Sequence, residues 1–286
     1  MKNLRLISCL LVAWILIAML SGCGSAGKQT IQFDHFTALQ VGSFDTIDGG
    51  THISEYPIWS PEKLNYHQDS SAAQSATVTF NGSTYSGTYR KTAAHIPNTY
   101  VSHQYKGDGI YFEINATTGE LSSISFIYEP AAKATLDKAA CKKIADNIAD
   151  DYIVLSDYTV DTSTGQISNN TLYTFTYYRE VAGYKTSDSL TISVDGNGNV
   201  SSFGVRMLNA FDNVKKVVLN EDNAKAAIET KLNAIYQNVQ TRKGYDVKDV
   251  TLVKLADGSC AFLYTVNNQF ESGDVQHSTQ VRLLLK

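Results

Sequence analysis

The sequence YTFTYYREVAGYKTSDSLTISVD, residues 173–195, carries the strand pattern from which the rest of the fold is predicted. Aromatic residues occupy every second position in its first half, and aliphatic residues do so near its end. A period of two is typical of a strand with one buried face. Gly183 lies between the two halves, where a turn is needed. The stretch is therefore predicted to form two antiparallel strands.

A helix is predicted upstream of these strands, over residues 135–152. Apolar residues recur there at four-residue spacing, and Lys and Asp residues occupy the opposite side. Thr135 is the predicted N-cap, because its hydroxyl can accept from a free backbone N–H of the first turn. The apolar stripe consists of Ala140, Ile144, Ile148 and Tyr152.

The same order of elements, one helix followed by antiparallel strands, recurs towards the C-terminus. Asn220 is a predicted cap for a second amphipathic helix, and a hairpin with Asp257 and Gly258 at its turn follows. The chain ends in an alternating stretch that is predicted to be a strand. We interpret the two successions of one helix followed by antiparallel strands as a diverged internal repeat.

The N-terminal third differs, because it has paired strands without a helix. Asn81 and Gly82 separate two strand-like runs, and Asn-Gly between such runs is a strong hairpin signal. A second hairpin is predicted over residues 110–128, with a polar turn that ends at Gly119. This third of the chain is therefore predicted to be mainly antiparallel β.

Together these patterns predict an α+β fold of antiparallel sheets, each with a helix packed on one face, after an N-terminal third that is mainly β. The predicted N-terminal β-rich region covers residues 32–131. The two helix-containing units are predicted at 132–212 and 213–286.

Residues 173–200 resemble the PepSY-type repeat of secreted and lipid-anchored bacterial proteins. The resemblance rests on an aromatic strand that contains Arg179, the turn at Gly183, an alternating strand, and a hairpin from Asp195 to Gly198. Residues 110–121 resemble the terminal hairpin of a partial copy. The resemblance implies PepSY- or cystatin-like units, and a binding or regulatory role, including inhibition of peptidases in trans.

The N-terminus resembles a bacterial lipoprotein signal. A positively charged start precedes an apolar run that ends in LSGC at residues 20–23. In the lipobox motif, which this resembles, the signal is cleaved before the cysteine and the cysteine is acylated. We therefore predict a signal peptide over 1–22, lipid attachment at Cys23 and a tether over 23–31. The chain would then be held on the extracytoplasmic face of the cell membrane.

The composition narrows the class of partner. Apolar residues make up 43% of the 286 residues, which is enough for a packed core, and the net charge is −4. A nucleic-acid-binding protein usually carries a basic face, so no nucleic-acid partner is predicted. The predicted partners are the membrane, through Cys23, and a protein or peptide that the sequence does not identify.

The sequence contains no recognisable catalytic constellation, so no catalytic residue, metal or cofactor is predicted. Cys141 and Cys260 are interpreted as buried free thiols, with a disulfide between them as the alternative. The run from Asp195 to Asn199 opens like a calcium loop, but Val200 stands where an EF-hand needs glycine. We interpret it as a polar turn.

One group of residues is a candidate for ligand binding. Arg179 lies among Tyr173, Tyr177 and Tyr184, and an arginine beside aromatic rings can bind a carboxylate or stack on a ring. The alternative is a structural ion pair or cation–π contact within the fold.

These observations predict a non-catalytic cell-envelope lipoprotein that binds a protein or peptide. One alternative is a surface lipoprotein that binds a small solute or glycan, and another is a hydrolase whose site forms between units. A peptide binder should have an open strand edge, a glycan binder exposed coplanar aromatics, and an enzyme titratable groups that converge in a cleft.

Overall fold

The structure is a computed structural model, and it describes residues 29–46, 66–95, 100–131, 133–237, 242–272 and 275–286. The first eight strands are β1 (Gln29–Phe33), β2 (Ala38–Thr46), β3 (Tyr66–His67), β4 (Ser75–Phe80), β5 (Ser83–Ala94), β6 (Val101–Gly107), β7 (Ile110–Asn115) and β8 (Leu121–Phe126). Helix α1 (Lys138–Ala149) follows, with a short 3-10 turn at Leu155–Asp157.

The second half contains eight further strands and a second helix. Before the helix lie β9 (Thr159–Ile167), β10 (Asn170–Val181), β11 (Tyr184–Asp195), β12 (Val200–Arg206) and β13 (Val214–Leu219). Helix α2 (Glu221–Ile235) is followed by β14 (Arg242–Lys254), β15 (Cys260–Ser272) and β16 (Val275–Leu285).

Fourteen of the described strands form one mixed sheet. Its order from one edge is β2-β16-β15-β14-β11-β12-β8-β7-β6-β5-β3, with β10 beside β11, β9 beside β10, and β4 beside β5. The strands β1 and β13 pair in parallel as a separate two-stranded sheet.

The predicted α+β class of antiparallel PepSY- or cystatin-like sheets, each with its own packed helix, is wrong. The fold is mostly β, and the strands of the predicted units join edge to edge in one sheet. β12 pairs with β8 at residues 202–204, and β11 pairs in parallel with β14 at Lys185 and Thr186. The alternation of residues shows which face of a strand is buried but not which strand lies beside it, so these joins left no sequence signal.

Four predicted hairpins are confirmed, and the one predicted over residues 110–128 is the antiparallel pair β7–β8. Asn81 and Gly82 form the tight turn between β4 and β5, and both have positive φ, at 47° and 75°. Residues 173–195 lie in the antiparallel pair β10–β11, which turns at Ala182 and Gly183. The turn with Gly258 joins β14 to β15.

One of the two predicted helix caps is correct. Asn220 caps α2, and its side chain accepts a hydrogen bond from the backbone N–H of Asn223 at 3.1 Å. The predicted cap Thr135 is wrong, because α1 begins later and Asp137 accepts from the N–H of Ala140 at 2.8 Å. A carboxylate satisfies the first-turn donors as well as a hydroxyl does.

Both helices lie on the same face of the large sheet. The core under α1 includes Leu190 of β11, and the core under α2 includes Leu252 of β14. Thr186 and Leu190 lie four residues apart on β11, so their side chains point to the same face of the sheet. Thr186 lies directly opposite Leu252 of β14, so Leu252 points to that face as well. The opposite face is named here the polar face.

Candidate functional site

Arg179 lies on β10 where the register with β11 shifts, between Tyr178 and Glu180. Its guanidinium forms an ion pair with Asp212 and lies 3.8 Å from Asp188 Oδ2. The arginine is half-buried, and both neighbouring carboxylates belong to the chain itself. Arg179 is therefore engaged within the fold.

Asp188 is fully buried and makes two further hydrogen bonds. Tyr158 donates its hydroxyl to Oδ1 at 2.6 Å, and the backbone N–H of Asn209 donates to Oδ2 at 2.9 Å. Burial raises the pKa of Asp188, and the opposing effects of Tyr158 and Arg179 do not cancel that rise. This cluster fastens the loop after β12 to strand β11.

The three tyrosines of the candidate group lie in different surroundings. The ring of Tyr177 is fully buried under α1, and its hydroxyl donates to Asp146 Oδ1 at 2.7 Å. Tyr173 packs half-buried against the same core, whereas Tyr184 packs against Phe262 in the core under α2, at 4.9 Å between ring centroids. The structure does not bring these rings together around Arg179.

The loop after β11 is closed by the Asp195 side chain. Its Oδ1 accepts the backbone N–H groups of Asn197 and Asn199, each at 2.9 Å, and its Oδ2 accepts the hydroxyl of Tyr128 at 3.0 Å. Burial alone would raise the pKa of Asp195, but these hydrogen bonds hold it below its usual value. Within the described ranges, no three His, Cys, Asp or Glu side chains lie together as metal ligands.

Cys141 and Cys260 are free thiols, so the alternative of a disulfide between them is wrong. Cys141 is fully buried on α1, and its Sγ donates to the carbonyl oxygen of Asp195 at 3.3 Å. Burial raises the pKa of Cys141, and it also raises that of Cys260. A thiol with a raised pKa is a poor nucleophile at neutral pH.

A Ser–His–Glu cluster on the polar face was missed by the sequence reasoning. Ser102 Oγ lies 2.9 Å from His95 Nε2 and donates to Glu113 Oε2 at 2.8 Å. The same histidine nitrogen lies 3.0 Å from Glu113 Oε2, so the carboxylate and the hydroxyl share one ring atom. A nucleophile relay needs them on opposite ring nitrogens. The three side chains therefore form a hydrogen-bonded cluster in which the serine hydroxyl donates to the carboxylate.

A row of polar residues crosses the polar face from β6 to β10. Each member lies directly opposite the next in the strand register. The row consists of Gln104, Glu113, Ser123, Gly204, Thr191 and Thr176. Five of its six members, all except Gln104, line one or both of two cavities on this face.

The two cavities along this row have volumes of about 300 Å³ and 280 Å³. The first lies beside the Ser102 cluster, the second lies where β12 and β14 both meet β11, and they share Thr191 and Arg206. Arg282 of β16 lines the second cavity. The sequence offered a weak signal for Arg282, because it is the one Lys, Arg, Asp or Glu in the terminal strand Val275–Leu285.

Strand β9 has an open edge. It pairs along its whole length with β10, and it has no other partner strand in the part of the chain that the structure describes. Six of its nine residues are exposed, and the strand contains no proline or lysine. Lysines and prolines are the residues that commonly protect an edge against strand addition.

The predicted signal peptide and Cys23 lie outside the described residues. In the described part, no helix is both long enough and apolar enough to cross a membrane.

Comparison with known proteins gives one family match. Residues 65–206, from β3 to β12, match the family model of the YcdB, YcdC repeated domain, which is consistent with the predicted internal repeat. Among curated proteins, none matches the chain. The crystal structure of MucB in complex with MucA(peri) covers 74% of this chain and 87% of that chain, at 10% identity and a TM-score of 0.13. A similarity that low carries no argument about this chain.

Proposed function

We propose that the chain is a non-catalytic lipoprotein of the cell envelope, anchored through Cys23, that binds an extended peptide segment of a partner protein. The open edge of β9 carries this proposal. The resemblance of residues 173–200 to PepSY-type repeats supports it, since such units serve as binding or regulatory modules. Inhibition of a peptidase in trans is one form that such binding would take.

An added strand needs backbone groups that face outward. Ser168 and Asn169 form the two-residue loop between β9 and β10, so Ile167 and Asn170 close the hairpin as a hydrogen-bonded pair. Hydrogen-bonded and non-hydrogen-bonded pairs alternate along an antiparallel ladder. The N–H and C=O groups of every second residue, Thr164 included, therefore point away from β10.

These outward groups suit the backbone of an extended peptide. Strand addition satisfies them with main-chain hydrogen bonds, while alternate side chains of the peptide meet the side chains of β9. The one charged residue of β9, Asp161, already forms a 2.9 Å ion pair with Lys185. The edge therefore places little charge in the way of a neutral or polar peptide.

The absence of an activated nucleophile in the described clusters favours binding over hydrolysis. Ser102 is fully buried and donates to Glu113 rather than to the histidine. Burial raises the pKa of both free thiols. We therefore propose no catalytic role for these groups.

The binding proposal is tested with a displayed library of random peptides, selected on the full chain solubilised in a neutral detergent. We expect peptides that bind the full chain and that slow hydrogen exchange at the amide of Thr164. Thr164→Pro removes that donor and should weaken binding by about tenfold or more, because one main-chain hydrogen bond and the alignment of its neighbours are lost.

The matched control is Thr164→Ala, which removes the exposed side chain but keeps the backbone N–H. It should leave binding nearly unchanged. Thr162→Pro, at the next outward position, should repeat the loss. Failure to select any peptide, or equal binding by the proline variants and the wild type, would rule out β9 as the binding edge.

The anchor is tested separately by Cys23→Ser in the bacterial host. We expect the wild-type chain in the membrane fraction, with a cysteine that carries acyl chains by intact mass, and the variant released from the membrane. Equal membrane retention of both chains, without acyl mass on Cys23, contradicts the anchor.

A further inference from the structure

The cavity of about 280 Å³ on the polar face results from a fork in the sheet. One edge of β11 pairs with β12 from Ser189 onward and with β14 at Lys185 and Thr186. Between these two contacts the edge has no ladder partner among the described strands. The space left at the fork faces away from the helices.

Two arginines line this cavity without a partner. Arg206 is the last residue of β12, and Arg282 lies in the second half of β16. In the part of the chain that the structure describes, neither guanidinium has a hydrogen bond or an ion pair. Arg206 is exposed, so water solvates its guanidinium in the empty cavity, whereas Arg282 is half-buried. An arginine carries five donors and keeps its charge, so a partly buried guanidinium without a partner is unfavourable unless a ligand meets it.

The partial burial of Arg282 adds to the cost of leaving its charge without a partner. The side chain is half-buried, and burial together with the neighbouring Arg206 lowers the pKa of Arg282, although Asp249 opposes that effect. Two like charges close enough to perturb one another destabilise the empty cavity.

The nearby acids do not neutralise the arginines by direct contact. Asp249 lines the cavity, and its Oδ2 accepts the hydroxyl of Thr251 at 2.9 Å. Glu113, in the adjoining cavity, is held by His95 and Ser102. The remaining cation of the cavity, Lys185, is paired with Asp161 outside it.

Neutral donors complete the wall. Thr176 and Thr191 lie 3.4 Å apart through their hydroxyls, and Ser189 donates to a carbonyl oxygen at 3.5 Å, so both bonds are long. Such hydroxyls can turn towards a ligand at little cost. The chain as a whole is acidic, so the positive cavity does not follow from its overall charge.

We infer that the cavity at the fork binds an oxyanion, a carboxylate or phosphate group, between the guanidinium groups of Arg206 and Arg282. The planar guanidinium group matches both kinds of oxyanion, and the adjoining cavity of about 300 Å³ has room for the polar body of the same ligand. The inference is independent of the proposed peptide edge, because β9 contributes no residue to this cavity.

The test uses the full chain in neutral detergent, titrated with inorganic phosphate or with succinate at constant ionic strength set by chloride. We expect a saturable rise in Tm with at least one probe, since a ligand that binds the native state alone stabilises it. Phosphate alone, succinate alone, or both would each support the site and would assign the class of oxyanion.

Substitutions of single arginines distinguish binding in this cavity from a general effect of the protein's charge. Arg206→Gln and Arg282→Gln should each weaken the apparent affinity by about tenfold or more, as expected when a charge-assisted hydrogen-bond donor is lost. Arg90→Gln, at an exposed arginine, should leave it unchanged. Without added oxyanion, Arg282→Gln should have a Tm no lower than that of the wild type, because it relieves the repulsion from Arg206.

Three results would overturn the inference. The first is no saturable shift with either probe up to about 50 mM, which is weaker than a specific small-ligand site needs. The second is an equal loss in the Arg90 variant. The third is a lower Tm of Arg282→Gln without oxyanion together with unchanged affinity, which would make Arg282 a structural residue.

Discussion

The hydroxyl of Tyr177 donates a 2.7 Å hydrogen bond to Asp146 Oδ1, which ties the centre of β10 to helix α1. The same carboxylate also accepts two hydrogen bonds from Lys142, each at 2.8 Å, one helical turn earlier. Burial and the bond to Asp146 raise the pKa of Tyr177, so the phenol stays protonated and remains a donor. A residue that the sequence placed in a binding group thus helps to hold the helix on the sheet.

Replacing Tyr177 by phenylalanine is expected to lower the free energy of unfolding by about 1–2 kcal/mol. Asp146 loses one donor but keeps Lys142, so its carboxylate is not left without a partner. Urea unfolding of the two chains measures the difference. Tyr173→Phe is the control, because this half-buried hydroxyl has no bond within the described ranges, and it should be nearly neutral. A loss no greater for Tyr177→Phe than for the control would contradict this role.

Asp195→Asn is expected to lower the free energy of unfolding at neutral pH by about 2 kcal/mol. The new amide nitrogen would face the hydroxyl of Tyr128 or the side-chain amide of Asn199, where the wild type has an acceptor. The pKa of Asp195 is lowered in the folded chain, so its contribution is full above the ordinary carboxyl pKa and is lost as pH falls through the lowered value. The deficit of the variant should therefore shrink on acidification, as urea midpoints at neutral and acidic pH will measure. Asp108→Asn, at an exposed position, is the control.

Asp188→Asn is expected to show the opposite dependence on pH. The pKa of Asp188 is raised by burial, so its contribution is full below the ordinary carboxyl pKa and is lost as pH rises through the raised value. The difference in free energy of unfolding between wild type and variant should therefore be larger at acidic pH than at neutral pH. The same urea series measures it, and equal slopes for the variants at 188 and 195 would contradict the assignment.

Gly87→Ala is expected to lower the free energy of unfolding by about 1–3 kcal/mol, as overpacking in a close-packed interior does. A β-carbon there would lie 2.8 Å from a ring atom of Phe112 and 2.9 Å from the backbone of Lys106. Both neighbours are fixed, one as a buried ring and the other as the main chain of β6. Gly165→Ala is the control, since nothing lies within 4 Å of its β-carbon. Thermal unfolding should give a lower Tm for Gly87→Ala than for Gly165→Ala. Equal Tm values would contradict the prediction, since they would show that β5 shifts to make room for the added β-carbon.

The local elements could be predicted from the sequence, but their assembly could not. The hairpins at Asn81 and Gly183 follow from turn chemistry and alternation, which act within a few residues. The contacts of β12 with β8 and of β11 with β14 involve residues far apart in the chain. Those contacts depend on how whole layers pack, and they turned the predicted separate units into one sheet.

The candidate sites were predictable to a smaller extent. Arg179 was predicted as a candidate ligand-binding residue, with a structural ion pair as the alternative, and its partners Asp188 and Asp212 lie on other elements and are visible only in the fold. Arg206 and Arg282 carry no motif, and their proximity depends on the fork of the sheet. A charge inside a strand is normally interpreted as a solvent-facing residue, so no motif set these two apart.

The fork also limits how far the sheet acts as one cooperative body. Only two residue pairs join β11 to β14, and three join β12 to β8, whereas eleven join β15 to β16. Breaking two pairs exposes little backbone, so local opening at this junction should need much less free energy than global unfolding. Native-state hydrogen exchange would then divide the strands into blocks that open independently. A ligand held between β12 and β16 at the fork would couple those blocks and make the sheet open as a whole.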